Sequence, residues 1–302
     1  MKTNRRAFLQ TSLLAAAGIP LLSGSSFGRE VLAKPRFKIS LAEWSLHQAL
    51  WKKEMTHLDF PVKTAREFGI SGVEYVSTFF KDTSPEYLNE LLKITKDNNV
   101  TNVLIMVDGQ GSLGDSDAVN RNKAVDNHHR WVEAAKFLGC HSIRVNAAGR
   151  GTDTEVADAV VESLSKLATF AASHNINVIV ENHGGLSSNA KWLTGVMKRV
   201  NLKNCGTLPD FGNFRVSPTE EYDRYLGIQE LMPYAKGVSA KSYDFDADGN
   251  EVKFDFYRIM KIVKDSGYKG FVGIEYEGTK LSEPEGILAT KRLLEKAFAS
   301  LD

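Results

Sequence analysis

From residue 37 onward, short apolar runs typical of strands alternate with amphipathic segments of helical period. Each of the eight runs is followed by a predicted helix, such as the one over residues 219–231 after the sixth strand. The strands are predicted at residues 37–46, 72–77, 101–108, 142–147, 177–183, 205–210, 236–243 and 271–276. This pattern predicts an α/β fold, with a single (β/α)8 TIM barrel over residues 36–302. An open doubly wound sheet would be expected to carry a glycine-rich phosphate turn after an early strand, and the sequence has none.

The first 33 residues differ from the rest and are typical of an export signal. Basic residues near the start precede an apolar run at 13–22, and small residues follow at 23–28. Residues 4–10, Asn-Arg-Arg-Ala-Phe-Leu-Gln, resemble a twin-arginine signal, which implies transport of an already folded protein. The apolar run is too short for a permanent membrane anchor. We therefore predict a twin-arginine-type signal peptide over residues 1–33, cleaved between Ser23 and Lys34, and a periplasmic or extracellular protein.

Charge and cysteine content limit the partners and the cross-links of the remaining chain. The whole chain has 38 basic and 37 acidic residues, of which residues 1–30 contain four and one. The part after residue 30 therefore has a formal charge of −2, which gives no attraction to a nucleic-acid backbone. The two cysteines, Cys140 and Cys205, each directly precede a predicted strand. We expect both to be buried and not joined by a disulfide.

Polar side chains lie where the predicted strands end, and residues 178–185 are the clearest example. This stretch reads Val-Ile-Val-Glu-Asn-His-Gly-Gly, so an apolar run leads into Glu181, Asn182 and His183. Catalytic groups of TIM barrels lie at the carboxyl ends of the strands. Side chains alternate along a strand and apolar helices cover the outer face, so the polar side chains are expected to point into the barrel mouth. The ends of the other strands carry Trp44, His47, Glu74, Asp108, Arg144, Asn146, Asp210, Asn213, Ser239, Lys241, Asp244, Glu275 and Glu277.

Three carboxylates, Glu181, Asp210 and Glu275, fall at the ends of strands five, six and eight. Side by side they would repel one another unless a cation lay among them. Two cations are available, namely a bound divalent metal and the ammonium group of Lys241. Oxygen ligands suit Mg²⁺ or Mn²⁺, and one imidazole would add Mn²⁺, Zn²⁺ or Co²⁺. The residues alone leave both forms of the site open.

The three carboxylate positions resemble the xylose isomerase-like barrels, a family that includes sugar isomerases, epimerases and inosose dehydratases. The motifs are Glu181 ending strand five, the segment Pro-Asp-Phe-Gly-Asn around Asp210, and the segment Gly-Ile-Glu-Tyr-Glu-Gly around Glu275. The resemblance implies a divalent metal held by a Glu, an Asp, a His and a Glu from strands five to eight. Three of these four positions match this sequence.

The fourth position departs from the family, because its His-x-Lys on strand seven reads Ser239-Ala240-Lys241 here. The resemblance then implies Glu181, Asp210 and Glu275 as metal ligands. We expect either His183 or a water on Ser239 to take the place of the missing imidazole.

The resemblance also implies a reaction, in which Glu181 and Glu275 act as acid and base on opposite faces of a sugar. Proton abstraction next to a carbonyl needs a positioned base, and the resulting enediolate needs a cation. We therefore predict a sugar isomerase or epimerase, with Lys241 as a further catalytic group. The same first step followed by loss of a β-oxygen substituent would make the enzyme a lyase or dehydratase of keto-sugars. Substrate contacts are expected from Trp44, His47, Arg144, Asn146, His183 and Asn213.

The loops after strands seven and eight favour a small sugar substrate without phosphate. Barrel enzymes commonly bind phosphate around these loops. Here the loops carry Asp244, Asp246, Asp248, Glu251, Glu277, Glu283 and Glu285. A metal-free carbohydrate-binding barrel, neutralised by Lys241, is the main alternative. Endonucleases that share the barrel are disfavoured, because they need a His-rich multi-metal site and a basic DNA surface; the oligomeric state stays open.

Overall fold

The computed structural model describes residues 37–301, in which strands and helices alternate along the chain. The strands are β1 Lys38–Ala42, β2 Gly72–Val76, β3 Thr101–Met106, β4 Ser142–Val145, β5 Asn177–Glu181, β6 Cys205–Leu208, β7 Val238–Ser242 and β8 Phe271–Tyr276. Consecutive strands pair in parallel from β1 to β6, β7 pairs in parallel with β8, and β8 pairs in parallel with β1. The (β/α)8 TIM barrel is therefore confirmed. The predicted signal peptide, residues 1–33, lies outside the described residues.

The barrel closes between β6 and β7 through isolated bridges rather than a regular ladder. These bridges join Thr207 to Ala235 and Asp210 to Ser239. The Ser239 N–H donates to Pro209 O at 2.9 Å, and Phe211 N–H donates to Ser239 O at 3.0 Å. The backbones also approach closely at Gly206, where an added Cβ would collide with the carbonyl oxygen of Tyr234. This closure places the end of the sixth strand beside the seventh.

Nine helices between residues 47 and 299 surround the sheet. They are α1 His47–Trp51, α2 Asp59–Arg66, α3 Pro85–Asp97, α4 Ala118–Leu138, α5 Asp153–Ser173, α6 Ala190–Val200, α7 Arg224–Leu231, α8 Phe256–Asp265 and α9 Glu283–Ala299. The main core lies between these helices and the strands, and both cysteines belong to it as buried free thiols, as predicted. Among the helices of residues 37–301, none is both long enough and apolar enough to cross a membrane.

Two predicted elements were wrong, and side-chain contacts explain both. The first strand ends at Ala42 rather than residue 46, because the buried Glu43 carboxylate accepts hydrogen bonds from Val76 N–H at 2.9 Å and from His57 Nδ1 at 2.7 Å. A 3-10 turn over Glu43–Leu46 follows. The helix predicted from residue 219 begins only at Arg224, where Asp223 caps Leu226 N–H at 2.8 Å. A short antiparallel hairpin, Arg215–Ser217 with Glu220–Glu221, precedes that helix.

Candidate active site

The carboxylates of Glu181, Asp210 and Glu275 meet at the mouth of the barrel. One oxygen from each lies within 4.8 Å of the other two, and the three residues are 1%, 0% and 4% exposed. We call this group the carboxylate triad. It arises because parallel strands of one barrel end at the same rim. His183, predicted as a fourth ligand, does not belong to this group.

Asp210 is fixed by backbone and side-chain donors at the β6–β7 closure. Its Oδ1 accepts hydrogen bonds from the N–H groups of Gly212 and Asn213, both at 2.8 Å. Its Oδ2 accepts from the Ser239 hydroxyl at 2.6 Å. Asn182 donates to Asp210 O at 3.0 Å and accepts from Asp210 N–H at 2.8 Å. Ser239, the strand-seven residue where the family has a histidine, is therefore hydrogen-bonded to Asp210 of the triad.

Arg144, at the end of β4, lies between Glu181 and Asp108. Its Nε is 2.9 Å from Glu181 Oε2, without the alignment of a hydrogen bond, and its Nη1 donates to Asp108 Oδ1 at 2.8 Å. Asn146 Nδ2 also donates to Asp108 Oδ1, at 2.7 Å. Burial acts to raise the pKa of Asp108, but the Arg144 guanidinium overcomes it and holds this pKa below its usual value. Asn146 thus supports the ion pair.

Lys241, at the end of β7, lies on the other side of the triad. Its Nζ is 3.0 Å from Glu275 Oε1 and 3.4 Å from Glu277 Oε2, and it donates to Asn213 Oδ1 at 3.4 Å. Asn213 in turn donates to Glu181 Oε1 at 3.0 Å. Lys241 is only 2% exposed. Burial alone would lower its pKa, but the Glu275 carboxylate and its acidic neighbours raise it well above the usual value, so the group stays cationic.

The pKa values of the triad reflect burial and mutual repulsion. Burial raises the pKa of Glu181 to about 7, with the Glu275 charge adding to the effect and Arg144 opposing it. Burial and the two neighbouring glutamates raise the pKa of Asp210 to about 7 against the attraction of Lys241. For Glu275, burial is outweighed by the adjacent Lys241 ammonium, which lowers the pKa. Simultaneous ionisation of all three carboxyl groups is therefore unfavourable in these surroundings unless a further cation is present.

Glu74 is a further buried carboxyl, on β2 inside the barrel. Its Oε1 accepts a hydrogen bond from the Ser40 hydroxyl at 2.5 Å. Burial, with the Glu275 and Glu181 charges, raises its pKa to about 8 in spite of the Ser40 hydrogen bond. Glu74 is therefore mostly uncharged at neutral pH and adds little to the negative charge of the site.

The triad fits a divalent cation on two observations. Glu275 Oε2 is buried and accepts no hydrogen bond within residues 37–301, and neither does Glu181 Oε2, although Arg144 Nε lies 2.9 Å from it. Five carboxyl groups of the network share two cationic side chains, so positive charge would be in deficit if all five were ionised. These groups are Asp108, Glu181, Asp210, Glu275 and Glu277, with Arg144 and Lys241. Carboxylate oxygens suit Mg²⁺ or Mn²⁺. Glu181, Asp210 and Glu275 are the residues that would hold it.

A cavity of about 310 Å³ opens beside the triad, and we call it the mouth cavity. It is lined by Trp44, Trp51, Val76, Thr78, Asp108, Arg144, His183, Glu275 and Glu277. His183 thus borders this cavity and does not belong to the triad. Although it is an exposed residue, desolvation and the nearby cations Arg144 and Lys241 lower its pKa. The volume is at the lower end of small-molecule pockets, about 300–1,000 Å³.

Some residues that line the mouth cavity were predicted from the sequence, and others were not. Trp44, Arg144 and His183 line the mouth cavity, whereas Asn146 and Asn213 lie behind it as hydrogen-bond partners of Asp108 and Glu181. His47 faces a neighbouring cleft. Trp51, Val76 and Thr78 were missed. The last two follow from the strand-end rule applied to β2, but Trp51 reaches the cavity from the unpredicted helix α1.

Comparison with known proteins supports the fold and its family. A family model described as xylose isomerase-like TIM barrel matches residues 62–297. A 49-residue stretch is 41% identical to the C-glycoside deglycosidase alpha subunit of Arthrobacter globiformis, but this is 16% of the chain and 14% of that subunit.

Three of the solved structures that resemble this chain show the extent of the similarity. A D-tagatose 3-epimerase-like protein has a TM-score of 0.68 at 17% identity, covering 88% of this chain and 100% of its own. The 3-keto-D-glucoside 4-epimerase of E. coli has a TM-score of 0.63 at 16% identity, with coverages of 87% and 100%. A xylose isomerase-like TIM barrel protein from Mycobacterium smegmatis, in complex with magnesium, has a TM-score of 0.65 at 16% identity, with coverages of 88% and 98%. At these identities the likeness concerns the fold.

Replacement of Arg144 tests whether the network holds excess negative charge. We expect Arg144→Met to lower the free energy of unfolding by about 3–5 kcal/mol, because it leaves the buried Glu181 carboxylate without its cation. Urea denaturation followed by circular dichroism measures this. The matched control is Arg199→Met, whose pair with Asp158 lies at the surface and is worth at most about 1 kcal/mol. Equal losses in the two variants would contradict the charge balance described above.

Proposed function

The chain belongs to the xylose isomerase-like TIM barrel family, and we propose that it is a sugar isomerase or epimerase. It would abstract a proton next to the carbonyl of a non-phosphorylated sugar. The observation that carries this proposal is the buried carboxylate triad, with Glu275 reaching the wall of the mouth cavity. A positioned carboxylate beside a small cavity is what general-base chemistry on a small substrate requires.

The residues of the mouth suit the two proton transfers of such a reaction. Glu275, from β8, lines the mouth cavity and would remove the proton, and Glu181, which reaches the triad from β5, would return it. Lys241 at 3.0 Å from Glu275 keeps that carboxylate in place, and Arg144 does the same for Glu181 at 2.9 Å. A divalent cation held by the triad would supply positive charge to the oxygen of the enolising carbonyl. Asp108 and His183 border the cavity as hydrogen-bonding groups for sugar hydroxyls.

A neutral sugar is the substrate class that the charges favour. The mouth cavity is lined by Asp108, Glu275 and Glu277, against one cation, Arg144. This excess of carboxylates would repel a phosphate group. The names of the structural neighbours point the same way, since they include a D-tagatose 3-epimerase-like protein and a 3-keto-D-glucoside 4-epimerase. Elimination from a keto-sugar would begin with the same proton abstraction and is the second candidate reaction.

A metal-free carbohydrate-binding barrel is a second candidate function, favoured by two contacts. Lys241 already lies 3.0 Å from Glu275, and Ser239 already donates to Asp210 Oδ2 at 2.6 Å. In a metal-free barrel, Lys241 would provide the positive charge that a divalent cation would provide in the proposed enzyme. The absence of activity with any metal supplied would favour this candidate.

Export is part of the proposal and rests on residues 1–33 alone. The basic, apolar and small-residue order there is that of a twin-arginine-type signal. N-terminal sequencing of the protein recovered outside the cytoplasm should find a start between Ser23 and Lys34. An intact N-terminus on protein confined to the cytoplasm would contradict export.

Isotope exchange tests the proposed chemistry directly. The purified protein, with Mn²⁺ supplied, should exchange a hydrogen next to the carbonyl of a ketose or keto-sugar in deuterated buffer. A panel of D-tagatose, D-fructose, 3-keto-glucose and methyl 3-keto-glucoside covers the substrate class, and NMR follows the exchange. We expect Glu275→Gln to lower the rate by about 10²–10⁴-fold, because it removes the general base and keeps the shape of the side chain.

The control is Glu133→Gln, at an exposed position of α4 that neither lines the mouth cavity nor belongs to the triad, and this variant should exchange at the wild-type rate. Glu181→Gln provides a second loss of activity if Glu275→Gln folds poorly. Wild-type protein that exchanges none of these sugars, with or without Mn²⁺, would overturn the proposal.

A further inference from the structure

A second cavity adjoins the mouth cavity, and we call it the side cleft. It measures about 770 Å³ and lies between α1 and the loop that joins β8 to α9. Its wall includes His47 and Met55 on one side and Tyr276, Thr279 and Leu281 on the other. It is larger than the 310 Å³ mouth cavity that adjoins the triad.

The two cavities have one lining residue in common, Glu277, which is hydrogen-bonded to Trp44 of the mouth cavity. Glu277 Oε1 accepts this hydrogen bond from Trp44 Nε1 at 2.6 Å. Its Oε2 lies 3.4 Å from Lys241 Nζ, so Glu277 is tied to the proposed catalytic groups. A ligand in the mouth cavity that carries a substituent past Glu277 would place the substituent in the side cleft.

An aromatic shelf runs along the rim from one cavity to the other. It consists of Trp44, His47 and Trp51 and joins the two because Trp51 lines the mouth cavity and His47 the side cleft. The Trp44 and His47 rings stack at 4.8 Å and 16°, and Trp51 meets both edge-on at 5.3 and 4.8 Å. Trp51 is nevertheless 57% exposed. Large exposed aromatic faces commonly mark binding sites, and they suit the apolar faces of sugar rings.

The side cleft is preformed and close to neutral. Both oxygens of Glu283 accept backbone N–H groups of α1, from Gln48 at 2.7 Å and Ala49 at 3.1 Å, which fixes the rim. Two lysines and three glutamates line the cleft, so it has no strong preference for an anion. Its remaining wall mixes apolar and hydroxyl side chains. An uncharged group with polar and apolar faces therefore suits it.

From this geometry we infer that the substrate is a glycoside rather than a free monosaccharide. The keto-sugar ring would occupy the mouth cavity, and the group attached through its glycosidic oxygen would occupy the side cleft. This inference rests on the proposed function for the identity of the first ring. The occupant of the cleft is thereby an uncharged aglycone or second sugar, bound along the aromatic shelf.

Substrates that differ only in the glycosidic group test the inference on the Mn²⁺-loaded protein. Deuterium exchange is measured for 3-keto-glucose and for its methyl, 4-nitrophenyl and glucosyl glycosides. We expect kcat/KM to be at least 10-fold higher for the 4-nitrophenyl and glucosyl glycosides than for 3-keto-glucose and its methyl glycoside. Comparison of the 4-nitrophenyl with the glucosyl glycoside shows whether the cleft prefers an aromatic aglycone or a second sugar. Thr279→Trp, which fills the cleft, should remove this preference and bring both large glycosides to the level of the methyl glycoside. The matched control is Thr169→Trp, an exposed threonine of α5 in a distant surface groove, which should keep the preference.

Calorimetry with unoxidised 4-nitrophenyl glucoside separates failure of the inference from failure of the proposed function. Binding that Thr279→Trp weakens at least 10-fold supports the cleft even if no sugar exchanges. Equal kcat/KM for all four substrates, or a Thr279→Trp variant that loses activity equally on all of them, would overturn the inference and leave the proposed function standing. Absence of both binding and exchange would overturn both.

Discussion

The mouth of this barrel is governed by the repulsion among three buried carboxylates. Glu181, Asp210 and Glu275 each place an oxygen within 4.8 Å of the others, where water cannot screen them. Parallel closure of eight strands makes this arrangement unavoidable, because the strand ends converge on one rim. The surrounding residues respond to it: Arg144 and Lys241 supply charge, and backbone N–H groups hold Asp210. A further cation at the triad would complete the compensation.

Ser239 affects how much positive charge the rim of the barrel supplies to the triad. Where the family places an imidazole, the Ser239 hydroxyl donates to Asp210 Oδ2 at 2.6 Å and brings no charge. His183 does not replace that imidazole beside the triad, because it borders the mouth cavity instead. The result is a triad of carboxylates whose neighbouring cations are Arg144, at 2.9 Å from Glu181, and Lys241, at 3.0 Å from Glu275. The metal-dependent and the metal-free candidates therefore involve the same residues. The two candidates differ in whether a divalent metal or the Lys241 ammonium group neutralises Glu275.

The fold and the triad could be predicted from the sequence because both follow from period and strand order. Glu181, Asp210 and Glu275 stand directly after apolar runs, so their convergence needed only the barrel. The turn at Glu43 could not be predicted, because it depends on contacts with His57 and Val76 far along the chain.

The short helix α1, which places Trp51 at the cavity, could not be predicted either, because its five residues show no hydrophobic periodicity. The placing of Asn146 and Asn213 behind the mouth, rather than in it, depends on strand register and side-chain direction. Neither is set by a single segment.

Anomalous diffraction from crystals grown with Mn²⁺ tests the central claim most directly, since it locates the metal without reference to any substrate. We expect one strong peak bonded to oxygens of Glu181, Asp210 and Glu275, with Lys241 displaced from its 3.0 Å contact with Glu275 or sharing that carboxylate through the other oxygen. A triad without a peak, with Lys241 still paired to Glu275, would contradict it.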